Sequence, residues 1–175
     1  DAKAFSERRH ELLDLTGSSN DQDKLKARLD LARLYLGEGM ASEALGILDT
    51  IKSDNLSFYL GARAAALRGA SNFLMLRLGE ASRDFSSIEL DGLKETELWR
   101  EIMATVLGQS DRGFDYLNYD KHYISKYPPR LRQKLAVIAA DRHIARQQFN
   151  KAIKIFEGLN QDHILDPIKN EVDYM

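Results

Sequence analysis

Residues 25–56 read LKARLDLARLYLGEGMASEALGILDTIKSDNL, and the spacing of their apolar and small residues predicts two amphipathic helices joined at Gly37-Glu38-Gly39. Leu31, Tyr35, Ile47, Leu48 and Ile51 recur at helical intervals and would fill a seam between the two segments. Ala32 and Ala44 are small where two helices must approach closely. The helices are expected near 22–37 and 41–53. A helical hairpin of this kind cannot bury its apolar face alone, so it is built to stack on others like itself.

Further along the chain, Leu131–Arg146 and Phe149–Leu159 read as a second such hairpin. There Ala140 and Ala152 answer Ala32 and Ala44, each 108 residues later. Three periods across that interval give a mean repeat of about 36 residues, below the 40 or more of HEAT and armadillo units. Two further pairs are expected between them. The first begins with LSFYLGARAAALRGA (56–70), whose Ala62, Ala64, Ala65, Ala66 and Gly69 imply very close helix contact; SNFLMLRLGEASRDF (71–85) follows, with Gly79 as its least certain point. The second begins with ETELWREIMATVL (95–107), turns at Gly108–Gly113, and continues as a Tyr-rich segment to Pro128-Pro129, which stop it. Asp21 and Asn55 are candidate N-caps.

Leu31, Ala32, Tyr35, Gly39, Glu43-Ala44 and Leu48 fall where the tetratricopeptide repeat family places its signature residues, and Trp99 sits where that family often has Trp. The chain resembles that family over residues 22–160. The resemblance implies an all-α fold, a right-handed α-α superhelix of about four hairpins. On this reading residues 1–175 form a single domain: an N-terminal packing helix (1–20), repeats at 22–56, 57–92, 93–127 and 128–160, and a partial or capping helix at 161–175.

In such arrays the first helix of each pair lines a concave groove. The resemblance therefore nominates Lys26, Leu29, Asp30, Arg33 and Leu36 from the first repeat, and Lys134, Val137, Ile138, Asp141 and Ile144 from the last. Arg63, Glu97, Arg100, Glu101 and Ala104 come from the middle ones. Family members that clamp a C-terminal carboxylate use Lys and Asn, where this chain has Leu29 and Arg33, which argues against that ligand. The implied function is non-catalytic recognition of a peptide or protein partner. Two rivals stand beside it: an accessory or regulatory domain of a longer enzyme, and a structural segment that associates with copies of itself.

Composition narrows the alternatives. Hydrophobic residues make up 43% and charged residues 30% of the chain, a globular balance rather than a disordered one. With 25 Lys plus Arg against 27 Asp plus Glu, the net charge of −2 offers no basic field for nucleic acid. The absence of cysteine excludes disulfides, thiolate catalysis and Cys-ligated metals. No apolar run is long enough to span a membrane. A chain that opens on Asp1 reads as trimmed or partial, and its compartment is not legible.

No cofactor and no enzymatic activity are expected. The four histidines have no chelating spacing, and His143, which matches Tyr35, is expected to be hydrogen-bonded within a helix seam. Gly37-Glu38-Gly39 with Ser42 lacks the preceding strand of a phosphate loop. Tyr116, Tyr119, Tyr123 and Tyr127 form one helical stripe, read as packing between hairpins in preference to an aromatic interface.

Overall fold

The computed structural model describes residues 2–51, 56–110 and 126–161, and every regular element among them is helical. In chain order these are α1 (Ala2–Thr16), α2 (Asp21–Gly37), α3 (Ala41–Leu48), α4 (Phe58–Leu74), α5 (Leu78–Phe85), a 3-10 turn (Ile88–Leu90), α6 (Lys94–Val106), α7 (Pro129–Ala145) and α8 (Phe149–Gln161). The all-α class is thus observed. The chain forms two compact units, residues 1–100 and 101–175, with the division falling inside α6.

Helix starts follow local chemistry. The Asn20 side chain accepts from the amides of Gln22 (2.9 Å) and Asp23 (3.4 Å) and caps α2, so Asp21 lies in the first turn rather than at the cap. Ser57 caps α4 through the Leu60 amide; Asn55 lies outside the described residues. Pro129 opens α7, where its missing N–H costs nothing because first-turn amides have no intrahelical acceptor.

Helix ends show a regularity more exact than the sequence pattern. α2, α4 and α7 each run 17 residues and close in the same way, by a residue in the left-handed region two positions past the helix. It is Gly39 (φ 72°), Leu76 (φ 57°) and Gln147 (φ 59°). Each of these amides donates 2.9 Å back to the carbonyl of Leu36, Phe73 or Ile144. The next amide, of Met40, Arg77 or Gln148, donates 2.9 Å to Tyr35, Asn72 or His143. This paired closure satisfies carbonyls that the helix end would leave open, and reverses the chain into the next helix. Accordingly, α4 extends through Leu74 to a turn at Met75-Leu76-Arg77, and Gly79 stands in the first turn of α5 rather than breaking it.

α6 ends alike, with Gly108 at φ 77° and Gln109 donating 2.8 Å to Ala104. That fixes its register against α2 at 69 residues, from Gly39 to Gly108. The spacing implied by matching Lys26 to Glu97 and Leu29 to Arg100 is two residues longer and is corrected here. Glu95, Leu98, Trp99, Ile102 and Thr105 are the true counterparts of Lys26, Leu29, Asp30, Arg33 and Leu36. Trp99 is consequently off the family's Trp position; it is buried, stacked on Phe85 and edge-on to Phe73.

In the first unit α1 packs on α2, α2 on α3 and α4, α3 on α4, and α4 on α5. Phe5 meets the Tyr35 ring edge-on, and Arg9 donates to the Tyr35 hydroxyl at 2.9 Å. Ala32 and Ala44 are fully buried on the packed α2–α3 pair. Gly69 is the small residue of the next hairpin, and a Cβ there would lie 2.8 Å from the Phe85 ring. In the second unit α7 packs on α8, and Ala139, Ala140, Ala152 and Ile155 form their shared core.

Candidate partner-binding surface

Lys26 and Arg33 stand exposed on α2 and make no hydrogen bond or ion pair among the described residues. They remain available to a ligand. Leu29 and Leu36, between them on the same helix, are buried at 0% and 6% exposure. Both are therefore core residues in this structure and cannot supply apolar contact to a partner.

Asp30 and Arg63 are brought together. Arg63 Nη2 donates 2.7 Å to Asp30 Oδ1, joining α2 to α4, and its guanidinium lies 6.0 Å from the Tyr59 ring centroid. Arg100 is also engaged. Its Nε donates to the Phe85 carbonyl (2.7 Å) and its Nη2 to Asp91 Oδ1 (2.9 Å), fastening α6 to the end of α5. The three arginines expected along one groove thus divide: Arg33 is unengaged, while Arg63 and Arg100 hold the first unit together.

On α7 the nominated residues lie at the surface. Lys134 and Asp141 are exposed, Val137 and Ile144 are 48% and 46% exposed, and Ile138 is half-buried. Leu131, Leu135, Ala139, Ala140 and His143 take the buried face of the same helix. The positions that are core on α2 are thus open on α7. His143 is fully buried, its Nδ1 2.9 Å from Gln148 Oε1, the geometry of a ring N–H donating to the amide oxygen across the α7–α8 turn. Tyr127 is half-buried; Tyr116, Tyr119 and Tyr123 lie outside the described residues.

One cluster escaped the sequence reading. Arg68 Nε donates 2.6 Å to Asp84 Oδ1, and Asn72 Nδ2 donates 3.0 Å to Asp84 Oδ2, between α4 and α5. Aligning the two hairpins of the first unit at their turns, Gly39 on Leu76, would have exposed it, because Arg68 and Asn72 then stand where Leu31 and Tyr35 do.

Among the described residues no group of three or more His, Asp or Glu side chains could hold a metal ion, and no helix is long and apolar enough to cross a membrane. Comparison of the chain with protein-family models, curated proteins and solved structures found no match in any of the three.

Proposed function

We propose that this chain is a non-catalytic interaction module of the tetratricopeptide-like kind, an array of stacked hairpins that binds a peptide or protein partner along its first helices. The observation that carries this reading is the common closure of α2, α4, α6 and α7. Each ends in the same left-handed turn with the same amide-to-carbonyl bond five residues back, which is how a chain builds one supersecondary unit several times. Repeated units present side chains from rigid helices, so binding energy is not consumed in ordering the receptor.

The contact residues supported by the geometry are Lys26 and Arg33 on α2 and Lys134, Val137, Ile138 and Asp141 on α7. Arg forks suit carboxylates and carbonyls, and the exposed aliphatic pair on α7 offers area to bury. The test is capture of partners on the immobilised chain, followed by binding measurements with Arg33→Glu and Val137→Ser. Each variant is expected to weaken the captured partner at least tenfold while circular dichroism stays unchanged. Capture of nothing, or binding indifferent to both substitutions, rejects the reading.

A further inference from the structure

A cleft of about 400 Å³ opens in the first unit between α3 and α5, with α4 as its floor. Arg68, Arg77 and Arg83 converge on it, accompanied by Asp49, Glu80 and the Asp84–Asn72 pair. The first hairpin shows what is unusual about these residues. At the 37-residue offset between the Gly39 and Leu76 turns, Arg68, Asn72, Arg77, Arg83 and Asp84 replace Leu31, Tyr35, Met40, Gly46 and Ile47. Three cations and one carboxylate have entered positions that are uncharged one hairpin earlier. Glu80 adds no difference, since Glu43 matches it.

The added carboxylate is already spent within the protein. Asp84 has one oxygen on Arg68 Nε and the other on Asn72, and its side chain is only 10% exposed. It orients Arg68 by the inner edge of the guanidinium, and the terminal nitrogens of Arg68 make no hydrogen bond among the described residues. The Arg77 guanidinium has no partner among them either. Arg83 stands 3.8 Å from Glu80, beyond hydrogen-bond reach. Three guanidinium groups therefore keep donors available toward one cleft, and planar forks of this kind match carboxylates two bonds at a time.

We propose that this cleft binds the acidic side chains of an extended peptide, gripped by Arg68, Arg77 and Arg83. Asp49 and Glu80 at its margin accept backbone amides of the same peptide and repel a dianionic phosphate more strongly than a single carboxylate. The site is separate from the first-helix surface of Lys26 and Arg33, and it stands or falls independently of that surface.

The experiment is an anisotropy titration of the full chain with a fluorescein-labelled hexaglutamate peptide carrying an amidated C-terminus, at physiological ionic strength. Saturable binding is expected. It should be weakened at least tenfold by Arg77→Ala combined with Arg83→Ala, and severalfold by Arg68→Lys, which keeps the charge and removes the fork. Arg33→Ala should leave it unchanged, and each variant's helical spectrum should match the parent's. Absence of saturable binding, indifference to the Arg77 and Arg83 changes, or equal affinity for hexalysine would overturn the proposal. So would displacement of the peptide by inorganic phosphate, or by a hexa-alanine peptide with a free C-terminus, at concentrations where unlabelled hexaglutamate does not displace it.

Discussion

Leu76 and Gln147 hold backbone geometry that suits glycine. Both adopt positive φ, at 57° and 59°, in turns where the first hairpin uses Gly39. A left-handed L-residue costs roughly 1–2 kcal/mol, partly offset by the greater chain entropy that glycine loses on folding. Leu76→Gly, at a side chain already exposed, is therefore expected to raise stability by about 0.5–1 kcal/mol, read as a higher urea midpoint. A lower midpoint would mean that the exposed Leu76 side chain contributes packing. Gly69 poses the opposite case, because a Cβ there would meet the Phe85 ring at 2.8 Å on a face that also stacks Trp99. Gly69→Ala should destabilise by about 1–3 kcal/mol through overpacking. Gly46→Ala, where a Cβ meets nothing within 4 Å, should stabilise by up to about 1 kcal/mol through helix propensity. Thermal melts of the two variants should move in opposite directions.

The same helix face behaves differently in the two hairpins 108 residues apart. On α3 the residues Ala41, Leu45 and Leu48 are buried, and α3 packs on α4. Their counterparts on α8, Phe149, Ile153 and Phe156, are exposed. Burial, not hydrophobicity, sets what a side chain contributes, so two similar truncations should diverge. Leu45→Ala is expected to cost about 2–3 kcal/mol, the transfer term plus a cavity. Ile153→Ala should stay within about 0.5 kcal/mol. Trp99, the one tryptophan of the chain, sits between Phe73 and Phe85 and reports the first variant by fluorescence; circular dichroism serves for the second. Equal losses would show that the α8 face is covered in solution.

Within the first unit, the Asp30–Arg63 bridge ties one hairpin to the next at 2.7 Å. Its side chains remain 41% and 25% exposed, so solvent screening limits the coupling to about 0.5–1 kcal/mol. A double-mutant cycle with Asp30→Ala and Arg63→Ala should return a value in that range. Coupling near zero would make the pair incidental to the joining of α2 and α4.

Much of this molecule is written in short-range pattern. Apolar residues three and four apart, Gly39 at a turn, alanines facing across a hairpin and the recurrence at 108 residues all act within one or two helical turns, where backbone geometry translates spacing directly into shape. They sufficed for the helical class, for the first and last hairpins to within a few residues, and for His143 in its seam. The third hairpin's register was misread by two residues because Trp99 suggested one alignment and only the left-handed closure at Gly108 selects another. Leu29 and Val137 occupy equivalent positions, yet one is core and the other surface. Arg63 and Arg100 found acceptors on other helices, and Arg68 found Asp84 16 residues away. None of these outcomes has a local signature. Burial and long-reach pairing depend on which helix lies against which, and that is settled only when the faces pack, so it is the tertiary structure that decided which of the arginines remain open to a partner.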